Sequence, residues 1–424
     1  MVKKFTHFVQ MCLAFLLFGI MPCSAWAGGL YLYEIGTPDL GLAGAGYAAR
    51  AQDAGTIYTN PAGMTRLDRS QVLFGIQPLY MDLEFSPDGR TTQSGSSGDA
   101  ADWLPSGSFF YVQNITQDLK FGLGVFGHFG LALDYGNDWA GRYYVKDTTL
   151  QAIGIQPTVA YRINDHFSLG VGVIANYIIF EENIAINNLT GPDGELHLED
   201  DPWTFQVNAG LLFELNKGTR FGLTYLSEGE IDMTSDLEFK DLGSGLNTIL
   251  KNRGLLAGEM DLEMNMPQSA MFSVYHQLTD RLALMADLGW QNWEEFGKVD
   301  VGISSENLTT LKTDMKYDDT YHVALGAQYR AAPQWLLSVG AAYDSSCLED
   351  ENRSPALPLG EAWRFAFGTQ YQWTKDIDIG WAYEMMWVGE MEMDLNRGPL
   401  AGRLAGTYDD VALHFFNLNL TWKF

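Results

Sequence analysis

The feature that most limits how this chain can fold is an alternation of large apolar residues with polar or small ones. In 409–424, every second residue from Phe416 to Phe424 is large and apolar, and the residues between them are polar. The same pattern runs through 376–390 and 362–373, whose apolar faces carry aromatic residues near their ends. Successive side chains of a strand point to opposite faces, and aromatic rings favour the two membrane interfaces. A water-soluble sandwich also alternates, but its inner face would rarely carry Trp and Tyr at both ends. The pattern therefore predicts lipid-facing strands, which must close into a barrel because lipid cannot pair an open sheet edge.

The spacing of the turns predicts the number of strands. Six short polar turns alternate with seven long, mostly acidic loops rich in Gly, Asp and Asn, and these connections join fourteen strands. The predicted spans are 71–84, 105–114, 118–131, 149–163, 167–184, 203–215, 219–232, 266–278, 281–293, 317–330, 335–346, 362–373, 376–390 and 409–424. The predicted fold class is an all-β, 14-stranded antiparallel transmembrane β-barrel over residues 71–424. An even strand number puts both chain ends on the periplasmic side.

The charge balance argues against a nucleic-acid partner. The 424 residues hold 26 Lys and Arg against 53 Asp and Glu, a net charge of −27, whereas a phosphate backbone requires a basic face. The mean hydropathy is −0.09, and beyond the N-terminus no apolar run approaches the ~18 residues of a membrane helix. A bundle of membrane helices is therefore excluded as well.

Residues 1–27 are predicted to form a secretory signal peptide. Two lysines precede the apolar stretch 8–22, and Ala25-Trp26-Ala27 fits the pattern of small residues at a cleavage site. An uncleaved anchor helix is the alternative, which the shortness of the apolar stretch disfavours. Cleavage would leave Cys347 as the single cysteine of the mature chain, so no internal disulfide is expected.

Residues 28–70 precede the first predicted strand and lack clean alternation. They are too polar for lipid and rich in small residues, yet they contain more Leu, Ile and Tyr than a flexible tail would. We therefore predict a small helical plug inside the barrel rather than a tail.

Several motifs resemble those of the FadL family (FadL/TodX type) of outer-membrane transporters for long-chain fatty acids and other hydrophobic compounds. The run 53–64, DAGTIYTNPAGM, closely resembles the family's N-terminal hatch, and 41–46 is similar to the Gly/Ala segment before it. The run 121–132, FGLGVFGHFGLA, is similar to the family's third strand, and the terminal Phe424 is a general assembly signal of such barrels. The resemblance implies a 14-stranded barrel with an N-terminal hatch, which agrees with the number of turns.

The resemblance also implies a gate at two places. In the hatch, Asn tolerates unusual backbone angles, Pro fixes φ and Ala leaves space. The hatch-gating candidates are Asn60, Pro61 and Ala62. In the third strand, the family's inward kink leaves a lateral opening in the wall. The lateral-opening candidates are Gly124, Gly127, His128, Phe129 and Gly130. The alternatives are an ordinary turn in a rigid plug, and small residues that make room for the hatch.

The route of a ligand implies two further sets of residues. Apolar residues of the fourth long loop would capture ligand, or else pack loop against loop. They are Leu237, Phe239, Leu242, Leu246, Ile249 and Leu250. A fatty-acid carboxylate inside the barrel needs a cationic partner, and the predicted fifth strand, 167–184, contains no Lys or Arg. The candidate partners are therefore Arg364, Arg142, Lys298 and Lys316.

Catalysis is not expected. The sequence contains no recognisable Ser/His/Asp motif and no His/Glu pair with metal-ligand spacing, so we predict no enzyme activity, no cofactor and no metal site. The acidic runs 199–201 and 349–351 are interpreted as solvated loop charge rather than as cation sites beside lipopolysaccharide. We expect a monomer in the outer membrane, in contact with its lipid and lipopolysaccharide.

The predicted function is passive transport of hydrophobic molecules, with long-chain fatty acids favoured. Ligand would be captured by the outer loops, pass to a pocket inside the barrel and leave sideways at the third strand. One alternative is a transporter of neutral hydrocarbons or aromatics, because the predicted fifth strand offers no cation. The others are a non-transport barrel, such as an adhesin or phage receptor, and a polar porin, which would lack the hatch motif.

Overall fold

The computed structural model describes residues 30–252, 256, 258–304 and 309–424. The predicted signal peptide, 1–27, lies outside these residues. In the described part of the chain, no helix is long and apolar enough to cross a membrane.

Strands make up most of the described chain. In chain order they are Gln71–Ile76 (β1), Leu79–Pro87 (β2), Gly98–Asp99 (β3), Asp102–Leu104 (β4), Gly107–Asn114 (β5), Leu119–Asp134 (β6), Asp147–Arg162 (β7), Phe167–Ile186 (β8), Gly194–Asp200 (β9), Trp203–Asn216 (β10), Thr219–Leu226 (β11), Gly229–Asp236 (β12), Glu238–Lys240 (β13), Glu259–Met266 (β14), Ser269–Gln277 (β15), Leu282–Gln291 (β16), Lys298–Ser304 (β17), Thr309–Asp314 (β18), Thr320–Ala332 (β19), Trp335–Asp344 (β20), Ala362–Gln372 (β21), Ile377–Asn396 (β22) and Arg403–Lys423 (β23). The helices are short: α-helices at Thr56–Thr59 (α1), Ser244–Asn252 (α2), Trp293–Phe296 (α3) and Gly398–Ala401 (α4), and 3-10 helices at Pro38–Leu42, Pro61–Arg66 and Asp350–Asn352.

The strands close into one antiparallel barrel. β1 pairs with the last strand, with Gln71 opposite Lys423, and also with β5, with Gln71 opposite Val112. Some barrel strands consist of shorter pieces: β1 continues into β2, β3 and β4 into β5, and β9 into β10. Counted in this way, fourteen strands surround the interior of the described barrel, which confirms the predicted 14-stranded antiparallel barrel.

Six tight turns join neighbouring strands at one end of the barrel, which we call the turn end. The opposite, loop end differs from the prediction, because strands continue where loops were expected. β22 and β23 run to Asn396 and from Arg403, although 391–408 was predicted to be loop. The predicted strand 219–232 ends at Leu226, and its last residues begin β12. With β14, β17 and β18, which lie almost wholly in the predicted loops 233–265 and 294–316, β12 forms a separate four-stranded sheet. Backbone pairing does not require lipid, so strands continue above the lipid-facing band. Apolar residues of these continuations, such as Met391 and Met393 of β22, are buried instead of facing lipid.

The alternation sorts side chains between lipid and interior as predicted. On β21, Phe365 and Phe367 are exposed on the outer face, whereas Arg364 and Ala366 are buried inside. The interior is filled mainly by the N-terminal segment, residues 30–70, whose side chains are nearly all buried.

The barrel wall makes room for the N-terminal segment with small residues. A Cβ added at Gly340 would collide with the carbonyl oxygen of Leu42, and one at Gly222 with that of Ala48. Barrel side chains also bind the segment's backbone: Gln156 Nε2 donates to the Ile57 carbonyl at 2.8 Å. The segment is therefore packed against and hydrogen-bonded to the inner wall.

Candidate functional site

The third barrel strand, β6, loses its barrel partner on one side. It pairs with β7 along its whole length, but with β5 only as far as Phe126, which lies opposite Ser108. Further toward the loop end, the described pairings of β3 and β4 are with β2. The wall between the second and third barrel strands is therefore not joined by strand pairing above Phe126.

The start of the N-terminal segment fills this break. The Leu32 amide donates to the His128 carbonyl at 2.9 Å, and the Gly130 amide donates to the Leu30 carbonyl at 2.9 Å. Tyr31 forms an antiparallel bridge with Phe129 between these two bonds. Residues 30–32, which we call the seal, thus complete the ladder of β6 from inside the barrel.

The predicted lateral-opening residues lie at this break, except one. The register of β6 against β7 shifts between Gly127 and Phe129, and both His128 and Phe129 are buried. Gly130 has a φ of +124°, which side chains rarely tolerate. Gly124 lies lower, in the part of β6 that is still paired with β5. The role of these residues in ligand exit stays a prediction.

His128 is buried in an aromatic environment beside the seal. Its ring centroid lies 6.0 Å from that of Tyr31, 5.3 Å from that of Tyr58 and 5.3 Å from that of Phe126. Neither ring nitrogen has a hydrogen-bond partner among the described residues. The His128 imidazole is therefore a buried polar group without a described hydrogen-bond partner in a mainly aromatic environment, which is energetically costly.

The predicted hatch-gating residues lie deep in the barrel, at the start of the 3-10 helix Pro61–Arg66. The side chain of Asn60 caps this helix by accepting from the Ala62 amide at 3.0 Å. Its Nδ2 donates to the Ala48 carbonyl at 2.6 Å and to the Leu211 carbonyl of β10 at 3.0 Å. Asn60 thus ties the segment to itself and to the wall.

Arg364 lies inside the barrel, in a buried cluster of charges. Its Nε donates to Asp344 at 2.5 Å, and its Nη1 donates to Glu384 at 3.2 Å and to Glu34 of the N-terminal segment. His322 Nδ1 lies 2.7 Å from the other oxygen of Asp344. The guanidinium therefore already binds three carboxylates, one of which is carried by the N-terminal segment.

The other predicted cations are not brought together with Arg364. Arg142 lies in a loop, where its Nε donates to Asp193 at 2.8 Å. Lys298 is at the start of β17, with its Nζ 2.8 Å from two glutamates of α3. Lys316 is exposed just before β19. Of the four candidates, Arg364 alone lies within the barrel.

Among the described residues, a polar cavity of about 540 Å³ lies at the turn end, beside Arg50, Asp53 and Gln328. Two small cavities lie closer to Arg364 and the seal. One, of about 60 Å³, is lined by apolar side chains of four barrel strands and a loop: Met81, Leu83, Leu131, Leu133, Pro358, Leu359, Gly360, Met386, Val388, Val411 and Leu413. The other, of about 30 Å³, lies beside Tyr31, Leu32 and Tyr33 and is lined mostly by aromatic and polar residues of the segment and of β10, β11, β15 and β16. The apolar cavity is the natural place for a hydrophobic tail.

The predicted capture residues lie on β13, on α2 and beside them, but they are unequally exposed. Leu237 is buried and Ile249 is 53% exposed. The remaining ones are half-buried: Phe239, Leu242, Leu246 and Leu250. The helix α2 buries none of its residues, so part of its apolar face is available to ligand.

The acidic runs show no cation site. Asp200 accepts a hydrogen bond from the Thr234 amide, and Asp201 accepts one from Tyr177. Asp350 pairs with Arg353 at 2.7 Å. Throughout the described residues, no group of three or more His, Cys, Asp or Glu is arranged to hold a metal ion.

Sequence reasoning missed the seal and the carboxylates around Arg364. Asp344 and Glu384 occupy inward-facing positions of β20 and β22, where most residues are small or uncharged. A carboxylate at such a position was the sequence feature that could have revealed them. Glu34 and Tyr31 gave no such signal, because their partners lie far away in the sequence.

Comparisons with known proteins agree with this architecture. The sequence model of a family described as outer membrane protein transport protein (OMPP1/FadL/TodX) matches residues 20–424. The chain is 30% identical over 400 residues to a long-chain fatty acid transport protein of Escherichia coli O6:H1, covering 86% of this chain and 88% of that one. It is 27% identical over 406 residues to outer membrane protein P1 of Haemophilus influenzae, covering 84% of this chain and 86% of the other.

Solved structures show the same fold. A FadL homologue from Pseudomonas aeruginosa superimposes with a TM-score of 0.83 at 22% identity, covering 94% of this chain and all of that one. The toluene transporter TodX of P. putida gives a TM-score of 0.69 at 16% identity, covering 91% of this chain and 99% of the other. With the family match extending over residues 20–424, the chain belongs to the OMPP1/FadL/TodX family of outer membrane transport proteins.

Proposed function

We propose that this protein carries hydrophobic molecules, above all long-chain fatty acids, passively across the outer membrane. The observation that carries the proposal is the break in strand pairing between the second and third barrel strands. Because lipid cannot pair a free strand edge, a permanent gap there would be costly. Here the edge is paired by the seal, which belongs to no barrel strand and can move without opening the rest of the barrel.

The proposed route begins at the loop end. Apolar residues on and beside α2 capture ligand, with Ile249 the most exposed of them. The ligand then enters the interior at the apolar cavity and leaves sideways, past Gly127 and Phe129, once the seal has moved. Strand alternation makes the outer side of this exit apolar, so ligand passes into lipid without crossing water.

Residues 28–70 would act as the hatch that closes this route. Asn60-Pro61-Ala62 would hold the lower part of the hatch to the wall, since Asn60 binds the backbone of β10. The seal lies at the far end of the same segment. We therefore propose that the hatch stays in the barrel while its first residues open and close the exit.

The same fold supports a proposal for the orientation and surroundings of the barrel. The long loops would face the cell exterior and the tight turns the periplasm, as in other outer-membrane barrels, so the C-terminus would lie in the periplasm. The N-terminus departs from the sequence expectation, because a chain that begins at Gly28 would start two residues before Leu30, which is hydrogen-bonded to β6 inside the barrel. The closed barrel supplies its own strand partners, so we propose a monomer surrounded by lipid and lipopolysaccharide. The protein would transport its ligand without catalysing a reaction.

Neutral hydrocarbons are the second candidate cargo. The apolar cavity is lined without any charged side chain, and Arg364 already binds three carboxylates. The proposed carboxylate partners outside the barrel, Arg142, Lys298 and Lys316, would then act only during capture. A fatty-acid head inside the barrel would have to compete for Arg364.

The test is uptake by a Gram-negative host that lacks its own fatty-acid transporter. Cells that express this chain should take up labelled oleate faster than empty-vector cells, while uptake of a disaccharide should not change. Oleate uptake equal to that of the vector control, with the barrel assembled in the outer membrane, would refute the transporter. Faster disaccharide uptake would indicate a polar porin instead.

A further inference from the structure

We propose that Glu34 is an internal substitute for a ligand carboxylate. It would occupy Arg364 while the exit is closed, and an incoming carboxylate that replaces it would release the seal. This inference rests on the proposed transport function and adds a residue that distinguishes acids from neutral ligands.

Carboxylates outnumber the single guanidinium of Arg364, which favours the exchange of one carboxylate for another. One guanidinium binds Glu34, Asp344 and Glu384, and the four side chains are between 0% and 6% exposed. Glu34 Oε2 and Glu384 Oε2 have no hydrogen-bond partner among the described residues. A surplus of buried carboxylates is costly, so the bond between Glu34 and Arg364 is not backed by a fully satisfied network. Replacing one carboxylate by another leaves the charge of the cluster unchanged.

Of the three carboxylates, Glu34 is the one that can leave. Asp344 and Glu384 belong to β20 and β22, which are paired on both sides within the barrel. Glu34 belongs to the N-terminal segment, two residues after Leu32, whose amide binds β6. Two residues span at most about 7 Å, so a large movement of Glu34 pulls on the seal.

The hydrophobic tail of a ligand would act on the same residues. Met386, which lines the apolar cavity, lies directly opposite Arg364 in the pairing of β21 and β22. A cavity of about 60 Å³ is far smaller than the roughly 300 Å³ or more of a typical ligand pocket. Leu32 packs against the apolar cluster that contains Met386, so a tail that enlarges the cavity there would press on the seal.

A carboxylate head group could therefore replace Glu34 at Arg364, whereas a neutral head group could not. Any long tail can press on Leu32, but an alcohol or a hydrocarbon cannot replace Glu34 at Arg364 with a charge-assisted bond. The wild-type protein should thus open readily for oleate and poorly for oleyl alcohol, which has the same chain and a neutral head.

The test compares uptake of oleate and oleyl alcohol in wild type and in Glu34→Ala. The variant leaves Arg364 with two carboxylates and frees the seal, so oleyl alcohol uptake should rise about tenfold toward that of oleate. The matched control is Asp39→Ala, which removes a buried carboxylate of the same segment and leaves its partner Arg50 with Asp53. This control should keep the wild-type preference for oleate.

The outcomes separate this inference from the transport function. If wild type carries oleate but Glu34→Ala keeps the full preference for it, or Asp39→Ala loses the preference equally, the role of Glu34 is wrong while transport stands. If wild type carries neither compound, the transport function itself fails.

A second measurement covers the case that Glu34→Ala does not assemble. In a chain that is otherwise wild type, Tyr31→Cys places a thiol on the seal, and Cys347 is buried. Oleate should increase labelling of this thiol several-fold, and oleyl alcohol should not. Equal labelling with both compounds would overturn the proposal.

Discussion

Replacing Asn60 by Ala should loosen the N-terminal segment and leave the barrel intact. The change removes three hydrogen bonds, those to the Ala48 and Leu211 carbonyls and the one from the Ala62 amide. A typical intramolecular hydrogen bond contributes about 1 kcal/mol, so the free energy of local opening should fall by about 3 kcal/mol. At about 1.4 kcal/mol per factor of ten, the open fraction of this region rises roughly 150-fold. No bond between barrel strands is lost, so the stability of the barrel should hardly change.

Hydrogen exchange of backbone amides in nanodiscs measures this directly. Amides of residues 48–62 should exchange roughly 150-fold faster in Asn60→Ala than in wild type, while those of β10 stay protected. The matched control is Asn164→Ala, which removes two bonds of an exposed turn at the turn end and should not affect the segment. Unchanged exchange in 48–62 would show that Asn60 does not hold the segment. A parallel loss of heat-modifiable mobility on gels would show that the segment is part of the barrel's own stability.

Three further outcomes are expected. N-terminal sequencing of the outer-membrane form should begin at Gly28, and an N-terminal Met1 would contradict cleavage after Ala27. Gly127→Trp should lower oleate uptake at least tenfold, because Gly127 faces Ser106 across the break. The control Gly89→Trp, in an open loop position, should not lower uptake. Equal uptake by both variants would place the exit elsewhere. Burial raises the pKa of the Cys347 thiol, so a maleimide should label Cys347 only after unfolding, and fast labelling of the native barrel would show that this loop opens.

The barrel could be predicted from the sequence because its signals are local. Alternation along 409–424 and the tight turns between strands depend on neighbouring residues, so strand number and facing followed correctly. The ends of the strands at the loop side could not be placed. Residues 391–396 continue both the pairing and the apolar alternation, but after the register shifts at Gly389 the apolar residues Met391 and Met393 are buried, so no lipid-facing residue marks this part of the strand.

The site was only partly predictable because its contacts join distant parts of the chain. The glycines and the resemblance drew attention to 124–130, but nothing in that run shows that Leu30 and Leu32 pair with it, about a hundred residues away. The parity of β21 placed Arg364 inside the barrel. That three carboxylates from three different elements already surround it became visible only in the folded chain.

The most direct test of the account locks the seal to the third strand. Tyr31 and Phe129 form a bridge flanked by two hydrogen bonds, the arrangement in which Cα atoms come closest and a disulfide fits. The double variant Tyr31→Cys/Phe129→Cys should lose oleate uptake when it is oxidised and regain it when a reductant is added. Neither treatment should change oleate uptake by the two single variants. Full uptake while mass spectrometry shows the disulfide to be formed would contradict lateral exit at this strand.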